Sequence, residues 1–381
     1  MSLNRGSKII VLLALIAVLV TSVFYLDARY RQVREAEIAA KFQLLGQLRR
    51  SALETYFKTA EAEISFWSLS PQIRESFIAI KNGWDALGDR APIRVRDLYI
   101  SNYPFAGTGL SELKDAGDGS AYSSAHAGLH ELANEFLTGR GYYDFFLIDL
   151  DGNIIYSVEK EQDYATNLMR GAYSQSGLGV VFNRVLTEQH EHSVAYSDFS
   201  RYAPSNDDPA IFAARLLFDE EGNRLGVLAL QLPTDTIVDI MHFTAGMGES
   251  GETYLVGGDL LMRSDSRFAD TSTVLETVVD TTTVQQALSG ERGVGYTPDY
   301  RGIEVLSAYD FIDIDGMRWA VMAEIDAAEV ADKVGSVIGE LIAAAIALFA
   351  LVIASFLAIR DFGDMELANS AASTEYDADS V

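Results

Sequence analysis

Two uncharged apolar stretches lie near the ends of the chain, and the region between them mixes hydrophobic and polar positions. Residues 9–26 comprise 18 residues without a charged side chain, and residues 341–359 comprise 19. Each stretch is about long enough, as a helix, to cross a hydrocarbon core of roughly 30 Å. The pattern therefore predicts two transmembrane helices, with residues 1–8 and 360–381 in the cytoplasm and the intervening region outside it.

A cleaved signal peptide is the alternative for the first stretch, because Arg5 and Lys8 precede it as a short basic segment. The apolar run is longer than the hydrophobic part of a signal peptide, which has about 7–15 residues. Ala28 is also followed directly by Arg29, which is a poor context for cleavage. An uncleaved helix is the favoured interpretation.

Helical spacing of apolar residues continues after the first stretch and predicts a long stalk helix over residues 27–70. Gly46 is the only glycine in this segment, and no proline occurs in it before Pro71. A helix of this length extends about 65 Å at about 1.5 Å per residue. Its apolar stripe must pack on its own domain, on the twin helix of a homodimer, or on both. The stripe consists of Ala36, Ala39, Ala40, Leu44, Leu48 and Leu53.

Short β-prone runs joined by turns predict four hairpins in two pairs. Asp151-Gly152 between two such runs is a strong hairpin signal. Helix-prone segments separate the hairpins of each pair, which indicates two copies of one module in tandem. The predicted strands are residues 145–150 with 154–158, 210–218 with 225–232, 252–256 with 260–264, and 303–312 with 317–325, and the helix-prone segments are 167–189 and 270–289.

These patterns predict an α+β fold, in which the long N-terminal helix precedes two tandem modules with antiparallel sheets and two transmembrane helices flank the whole. Residues 93–141 are loop-rich apart from a short helix over 129–137, and residues 235–243 predict another helix. The predicted segments are the stalk helix 27–70, a membrane-distal module 71–234, a membrane-proximal module 235–326, a connecting helix 327–340 and a short, acidic, disordered tail 360–381.

Composition and the absence of motifs exclude several functions. The formal net charge is −26, so binding to a nucleic acid, which requires a basic face, is not expected. The chain has no cysteine, which excludes disulfides and cysteine nucleophiles. No nucleophile elbow or P-loop occurs, and Gly246-x-Gly248-x-x-Gly251 precedes a predicted strand rather than the helix that a dinucleotide site requires. Neither enzymatic activity nor a cofactor is predicted.

Two short patterns resemble metal sites and are interpreted otherwise. Asp149, Asp151 and Asn153 match the start of a calcium loop, but the twelfth position of that loop is Lys160 rather than glutamate. A hairpin turn is therefore favoured there. His190 and His192 have acidic neighbours, but exposed histidines in a loop are favoured over a metal site. No bound metal is predicted.

Four stretches carry a resemblance to a known family, namely residues 142–168, 196–214, 222–233 and 246–268. Over roughly residues 29–334 the chain resembles the double Cache sensor domain of bacterial chemoreceptors, sensor kinases and membrane-bound cyclases. The resemblance implies two PAS-like modules, with a ligand pocket in the membrane-distal one.

The family context also bears on location and output. The resemblance implies a two-pass protein of the bacterial inner membrane whose sensor domain lies in the periplasm. Family members normally continue into a signalling domain after the second membrane helix. Residues 361–381 are too few for a folded domain of this kind. We therefore expect either a truncated chain or a separate signalling protein.

Amino-acid-sensing members of the family share a pocket pattern, and the resemblance implies ligand-binding residues from it. The arginine and aromatics that follow the first hairpin are matched by Arg170 and Tyr173 in a degenerate form, and the Tyr-x-Asp is matched by Tyr196 and Asp198. Gln231 takes the position of the final-strand aspartate, and a neutral amide lacks the charge that binds an ammonium strongly. An α-amino acid is therefore disfavoured, and a carboxylate, an amide or another uncharged metabolite is favoured.

Several further candidates have two interpretations each. Tyr156 and Tyr164 flank the exit from the first hairpin, where they either face the ligand or pack against the sheet. Tyr202 and Phe212 are pocket residues or, more commonly for such aromatics, core or rim residues. The membrane-proximal module adds Arg263, for which structural ion pairing within the module is favoured over a second ligand site.

The two charged candidates of the distal module also remain open. Arg215 lies in an apolar strand and requires a partner, which is either a ligand carboxylate or one of Asp198 and Asp219. Asp198 either holds a ligand donor or caps a turn.

The sequence thus predicts a membrane-bound extracytoplasmic sensor that binds a small metabolite in the distal module, forms a homodimer and transmits a signal across the membrane. The alternative is a non-catalytic ectodomain that docks a periplasmic protein partner. The predicted ligand-binding residues are Tyr156, Tyr164, Arg170, Tyr173, Tyr196, Asp198, Tyr202, Phe212, Arg215 and Gln231.

Overall fold

The computed structural model describes residues 5–101, 109–187, 193–351 and 353–355. Its residues fall into two units, one drawn from Met1–Ala40 with Ala328–Val381 and the other formed by Lys41–Ala327. The histidines at 190 and 192 and the acidic tail at 360–381, both interpreted above, lie outside the described residues.

Helices precede the first strand of the chain. Helix α1 ends at Leu69, one residue before the end predicted for the stalk helix, because Pro71 has no backbone N–H with which to continue it. The same proline begins the next helix, where its fixed φ is suitable. These helices are α1 (Arg5–Leu69), α2 (Pro71–Ala86), α3 (Ala91–Arg96) and α4 (Ala121–Arg140).

Helix α4 is longer than the sequence predicts, and the region around it is less irregular. The side chain of Ser120 accepts a hydrogen bond from the Ser123 backbone N–H, which is a standard N-terminal cap. Gly141 ends the helix in a left-handed conformation with φ 75°. The helix therefore begins well before residue 129, and the expectation of a mainly loop-rich segment over 93–141 was wrong.

The first sheet is antiparallel and has the strand order β2-β1-β6-β5-β3, with β4 paired to β5. Both hairpins predicted for this part of the chain are confirmed. Its strands are β1 (Asp144–Asp149), β2 (Ile154–Ser157), β3 (Ala195–Tyr196), β4 (Ser200–Tyr202), β5 (Asp208–Phe218) and β6 (Arg224–Leu232), and helix α5 (Gly177–Thr187) lies between β2 and β3 in the chain.

Different helices pack on the two faces of the first sheet. Phe145 packs against Trp67 of α1, with ring centroids 6.1 Å apart, and Tyr156 bonds to His130 of α4, so helices cover this face. Gln231 is the cross-strand partner of both Asp144 and Phe212, so these three side chains share the opposite face. We call this opposite surface the Gln231 face. The start of α5 covers it in part, because Gly177 lies against Phe212.

The second sheet is also antiparallel, with the order β7-β10-β9-β8. It consists of β7 (Glu252–Val256), β8 (Gly293–Pro298), β9 (Glu304–Ile314) and β10 (Met317–Asp326), accompanied by helices α6 (Thr234–His242) and α7 (Thr282–Leu288). The α+β fold, with its long helix and two antiparallel sheets, is thus confirmed.

Two predictions for the second sheet were wrong. Residues 260–264 form only isolated bridges, Val256 with Met262 and Leu261 with Val278, because Leu260 adopts φ 67° and turns the chain. Strand β8 was missed because Gly293, Gly295 and Pro298 give it a composition that is unusual for a strand.

The part of helix α1 that belongs to the larger unit contributes to the core of that unit and also leaves apolar side chains exposed. Leu53, Phe57 and Ile64 are buried in the core. Leu48 and Phe66, by contrast, are 54% and 71% exposed. Of the predicted stripe, Leu53 is buried in its own domain, whereas Ala36, Ala40, Leu44 and Leu48 are exposed. Most of the stripe therefore does not pack on its own domain, and packing on a second copy stays a prediction.

The smaller unit contains the two apolar stretches. Two helices, within Leu13–Leu69 and Ala327–Ser355, are long and apolar enough to cross a membrane. In the most apolar 18-residue segment of each, 6% and 0% of the residues are buried. Helix α8 (Ala327–Val334) ends at Gly335, which has φ 62°, so the connecting helix predicted over 327–340 is interrupted at residues 335–337. Asp27 bridges this interruption by accepting hydrogen bonds from the Val337 N–H and the Ser336 hydroxyl, both at 2.9 Å.

Gly226 of β6 provides a test of how closely helix α2 packs on the first sheet. A Cβ atom at this position would lie 2.3 Å from Cζ of Phe77 and 2.5 Å from the Ile148 carbonyl oxygen. We expect Gly226→Ala to lower the free energy of unfolding by about 1–3 kcal/mol, as overpacking does. Thermal unfolding measures this loss. Gly295→Ala, whose Cβ would meet no atom within 4 Å, is the control, and equal stability of the two variants would contradict the packing described.

Candidate ligand-binding site

An aromatic and polar cluster lies on the Gln231 face of the first sheet. The Tyr202 ring packs edge-on against Phe212 at 4.8 Å between centroids, and the Tyr173 ring lies 6.3 Å from that of Tyr202. Gln231 is paired with Phe212 across β5 and β6. Four of the ten residues predicted from the sequence, Tyr173, Tyr202, Phe212 and Gln231, are therefore brought together.

Asp163 belongs to this cluster and was not singled out from the sequence. Its side chain is fully buried, and its Oδ2 accepts a hydrogen bond from the Tyr202 hydroxyl. Burial raises the pKa of Asp163 to about 7. Its Oδ1 has no hydrogen-bond partner among the residues that the structure describes. One carboxylate oxygen thus accepts no hydrogen bond from the described residues.

One atom of the Gln231 side-chain amide also lacks a hydrogen-bond partner. The neighbouring hydrogen bonds identify which of the two atoms this is. Tyr143 and Ser205 donate their hydroxyl hydrogens to Glu161, each at 2.7 Å. Because the Ser205 hydrogen is used in this way, its oxygen accepts from Nε2 of Gln231, at 3.3 Å. This leaves Oε1 of Gln231 as a buried acceptor without a partner in the described part of the chain.

Asp144, also missed in the sequence, has a structural role at the beginning of β1. It accepts hydrogen bonds from the Ser157 hydroxyl at 2.7 Å and from the Val158 N–H at 2.9 Å. Burial and the nearby Asp163 raise the pKa of Asp144 well above its usual range. The only signal in the sequence is a charged residue at the start of an apolar strand.

Lys160 holds the segment that follows β2. The side chain is fully buried, and its ammonium donates to the carbonyl oxygens of Leu110 at 3.0 Å and Val158 at 2.8 Å. Burial lowers the pKa of Lys160 to about 7. The lysine thus anchors the chain next to the cluster, whereas the sequence analysis considered it only as the twelfth position of a calcium-like loop.

A cavity of about 630 Å³ adjoins Gln231 and Ser205. Its walls come from the first sheet, from α6 and from the segment that follows β7. The lining residues are Gly141, Tyr142, Tyr143, Glu159, Phe199, Ser205, Asp208, Pro209, Gln231, Leu232, Pro233, Thr234, Asp235, Val238, Asp265, Ser272 and Val274. We call it the inter-sheet cavity.

Three predicted tyrosines have partners away from the Gln231 face. The Tyr156 hydroxyl lies 3.0 Å from Nδ1 of His130, and the Tyr164 hydroxyl lies 2.5 Å from that of Tyr122. Tyr196 donates to the backbone carbonyl of Phe57 at 3.1 Å. The structure therefore places all three tyrosines in contacts with helices. This agrees with the packing interpretation given for Tyr156 and Tyr164, whereas Tyr196 had been expected at the ligand.

The two predicted arginines also lie elsewhere. Arg215 is three residues from Phe212 in β5, so strand alternation places it on the face opposite Gln231. Burial lowers the pKa of Arg215, and the negative charge of Glu61 in α1 opposes this effect. Arg170 is exposed in a turn, where its backbone N–H bonds to Oδ1 of Asn167 at 3.0 Å.

Asp198 connects the first sheet to the second. Its carboxylate accepts two hydrogen bonds from Arg263, from Nε at 2.9 Å and from Nη2 at 3.0 Å. The Trp319 indole N–H donates to the same carboxylate at 3.0 Å. Arg263 also pairs with Asp259 at 2.9 Å. The ion pairing expected for Arg263 therefore extends beyond its own module, and Asp198 is occupied by this structural contact.

Asp163 predicts a pH dependence of stability. Its pKa is about 7 in the folded state against 3.8 for the ordinary group, so its contribution is complete below pH 3.8 and is lost as the pH rises through about 7. The loss corresponds to at most about 4 kcal/mol. We expect the melting temperature of Asp163→Asn, relative to the unmodified chain, to rise between pH 4 and pH 8. The exposed Asp270→Asn serves as the control, and a difference for Asp163→Asn that does not vary with pH would refute the assignment.

The contact between the sheets predicts a loss of stability when Asp198 is replaced. Asp198→Ala leaves Arg263, which is 2% exposed, with Asp259 as its remaining carboxylate partner among the described residues. We expect the free energy of unfolding to fall by about 2 kcal/mol, less than for a fully buried pair, because Asp198 is 34% exposed. Denaturant unfolding measures the change. Asp259→Ala, which leaves the two-bond contact intact, is expected to cost less, and a larger cost for it would contradict this role of Asp198.

Comparisons with known proteins extend these observations. A comparison with curated protein sequences finds no significant match. Among solved structures, the chain is similar to the ligand-binding domain of the Campylobacter jejuni chemoreceptor Tlp3 in complex with L-valine, with 12% identity, TM-score 0.47, and coverage of 80% of this chain and 98% of that chain. It is similar to the sensor domain of the V. cholerae histidine kinase DctB, with 9% identity, TM-score 0.45, and coverage of 75% and 97%.

An extracellular ligand binding receptor from Desulfohalobium retbaense DSM5692 is also similar, at 14% identity and TM-score 0.37, over 65% of this chain and 39% of that chain. The family model of the Cache domain matches residues 35–334, a range that includes both sheets and the cluster around Gln231. The chain therefore belongs to the Cache-domain family, as a double Cache sensor domain.

Proposed function

We propose that this protein is a membrane-anchored extracytoplasmic sensor, which binds a small metabolite on the Gln231 face and transmits the binding event across the membrane. The proposed role is binding without catalysis. It retains the division into a membrane-distal module, residues 71–234, and a membrane-proximal module, residues 235–326. The proposed location is the bacterial inner membrane, with two spans and a periplasmic sensor domain.

The observation that carries the proposal is a set of buried polar oxygens that accept no hydrogen bond from the described residues. These are Oδ1 of Asp163 and Oε1 of Gln231, with the hydroxyl oxygen of Ser200 nearby in β4. A buried polar atom without a partner costs about 1–3 kcal/mol. A bound molecule with N–H or O–H groups would remove this cost, which favours a ligand site over a closed core.

The chemistry of these atoms also modifies the expectation from the sequence. Gln231 alone had favoured a carboxylate, an amide or another uncharged ligand. Asp163 supplies the acidic group that Gln231 lacks, and both open oxygens are acceptors. A ligand that donates hydrogen bonds, such as an amine or an amide, is therefore favoured over one that presents only a carboxylate.

Transmission is proposed to use the helices of the smaller unit. The two apolar helices are suited to crossing a membrane by length and composition. Asp27 links them, since it lies in α1 and accepts hydrogen bonds from Ser336 and Val337 where the second helix begins. A ligand that binds two arrangements of the protein with different affinity shifts the population between them.

A homodimer is part of the proposal, and α1 offers the surface for it. Leu44 and Leu48 are spaced by one helical turn, as are Phe66 and Leu69, and all four side chains are more than half exposed. A second copy would cover these apolar groups. A separate signalling protein remains the proposed recipient of the signal.

A ligand screen on the chain, purified in detergent, tests the proposed function. The panel contains amines, amides, amino acids, organic acids and sugars, and a ligand at about 100 times its dissociation constant adds about 2.7 kcal/mol of stability. For the ligand found, we expect Asp163→Asn to weaken binding by about 10-fold or more, because it removes a hydrogen bond to a charged group. Calorimetric titration measures the affinity.

Arg170→Ala is the matched control for this screen, because Arg170 lies in the adjacent turn but is exposed. We expect its affinity to equal that of the unmodified chain. A ligand whose affinity is unaffected by Asp163→Asn would remove the binding site from the Gln231 face. If no class of molecule stabilised the chain, the alternative function of docking a periplasmic protein would be favoured instead.

A further inference from the structure

Residues 109–120, directly before α4, form a segment that we call the strap. Apart from one 3₁₀ turn at Leu110–Glu112, it contains no helix or strand. None of its side chains is fully buried, and Leu113 and Ala116 pack on the core from outside. Because so little apolar surface is buried here, hydrogen bonds to the strap decide whether it stays docked on the rest of the module.

Two fully buried histidines of α4 hold the strap by its backbone. Nδ1 of His126 lies 2.8 Å from the Lys114 carbonyl oxygen, and Nε2 of His130 lies 2.6 Å from the Ser111 carbonyl oxygen. A carbonyl oxygen only accepts, so these two nitrogens carry the ring hydrogens. The other nitrogen of His130 lies 3.0 Å from the Tyr156 hydroxyl and accepts from it. Both rings are therefore neutral, with one N–H each on the strap.

A second proton on either histidine is unfavourable while the strap is docked. On His126 it would occupy Nε2, which is buried and has no hydrogen-bond partner among the described residues. The two rings are stacked with centroids 5.1 Å apart, so two charged rings would repel each other. Burial lowers the pKa of His130 to about 4 and that of His126 well below its ordinary value, and the positive charge of Lys160 adds to both effects. Docking thus requires neutral histidines.

The surroundings do not supply an anion to these rings. No carboxylate accepts a hydrogen bond from either histidine in the described part of the chain. The nearest cation, Lys160, itself donates to the Leu110 carbonyl oxygen of the strap at 3.0 Å. The titratable groups on the elements around the two rings are Tyr99, Tyr122, Tyr156, Tyr164, Lys114, Lys160, Glu112, Asp115, Asp118, Glu131, Asp144 and Glu159.

We propose that the strap is an acid-sensitive element, which is docked on α4 while His126 and His130 are neutral and is released when both take up a proton in mild acid. Lys160 also donates to the Val158 carbonyl oxygen at 2.8 Å, so release removes one of its two contacts at the start of the segment that carries Asp163. The pH outside the membrane thereby becomes a second input to the sensor. Only this consequence rests on the proposed function, since the release itself needs no ligand.

The docked and released states of the strap bind different numbers of protons. Both histidines have a pKa below the ordinary value of 6.5 in the docked state, and release would expose them to water and restore that value. Their contribution to docking is therefore complete well above pH 6.5 and is lost as the pH falls through 6.5 toward 4. Two such histidines raise the equilibrium constant for release about 100-fold between pH 7.5 and pH 5.5.

Thiol labelling measures the release, because the chain has no cysteine of its own. Ala116→Cys places a thiol where the strap packs on the core, and Ser124→Cys places a reference thiol on the exposed surface of α4. The rate at position 116 is divided by the rate at position 124, which removes the effect of pH on the thiol itself. In the full chain, purified in detergent, we expect this ratio to rise about 100-fold from pH 7.5 to pH 5.5. A rise of less than threefold would overturn the inference.

Variants that keep the hydrogen-bond donors but cannot be protonated locate the switch. An asparagine amide reaches the position of Nδ1 and a glutamine amide that of Nε2, so we combine His126→Asn with His130→Gln. We expect the labelling ratio of this double variant to vary less than threefold over the same pH range. The control is His242→Gln, because Nε2 of His242 also contacts a backbone carbonyl, that of Asp265 at 2.8 Å, but not one of the strap. A rise retained in the double variant, or lost in the control, would contradict the assignment.

A thiol at a buried position of α7 separates local release from general unfolding. Ala287→Cys is expected to label at a rate, relative to position 124, that does not rise between pH 7.5 and pH 5.5. An equal rise at positions 116 and 287 would overturn the inference. This comparison uses the histidines as they are, so it decides the question even if thermal unfolding shows that the double variant is not folded. No ligand is present, so failure of the ligand screen would leave the strap inference standing, and absence of release would leave the binding proposal standing.

Discussion

The pairing of β6 with β1 on one side and β5 on the other is the constraint on which the rest of the larger unit depends. It sets Asp144, Gln231 and Phe212 side by side on one face. It also directs Leu228 and Leu230 toward the opposite face. A slip of one residue would exchange the two sets and bury Gln231 under the helices. The polar cluster and the apolar core are thus both consequences of one register.

The buried polar groups on this face differ in how completely they are satisfied. Asp144 accepts hydrogen bonds from a hydroxyl and from backbone N–H groups, so its charge or proton is accommodated by the protein itself. Asp163 and Gln231 each retain one acceptor without a partner among the described residues. Asp144 therefore stabilises the ends of the strands, whereas Asp163 and Gln231 each have an acceptor that a ligand donor would satisfy. A buried polar group that stabilises the fold has all its hydrogen bonds within the protein, whereas a group that binds a ligand keeps one for the ligand.

The link between the sheets places a limit on how a ligand in the inter-sheet cavity can act. Asp198 and Arg263 hold the two sheets together by a two-bond contact in which Arg263 is buried and Asp198 is partly exposed. Gly257 permits it, because a side chain there would collide with the Arg263 guanidinium. The cavity is lined by the first sheet, by α6 and by the segment that follows β7, and its lining includes Phe199, which is adjacent to Asp198 in the chain. A molecule that drew these walls together would therefore act next to the contact between Asp198 and Arg263. Small displacements of the two sheets are more consistent with this contact than their separation is.

Features that depend on neighbours in the chain were determined by the sequence alone. The hairpin at Asp151 and Gly152, the end of α1 before Pro71 and the alternation of β5 and β6 follow from local turn chemistry and side-chain period. The repeated order of hairpins and helix-prone segments also indicated the tandem arrangement. What tertiary structure alone decided is which polar residues meet. Asp198 and Arg263 are 65 positions apart, and no local pattern reveals their pairing.

The same reason explains the outcome for the candidate site. Tyr202, Phe212 and Gln231 came together because strand register places them on one face. Asp163 was missed because a residue in an acidic, turn-prone segment looks exposed until the segment folds back over the sheet. Arg215 and Tyr196 have side chains that could bind a ligand. Arg215, however, lies on the opposite face of the sheet, and the Tyr196 hydroxyl donates to a backbone carbonyl of α1. Residue type and spacing indicate what a side chain is able to bind, whereas only the packed structure determines what lies within its reach.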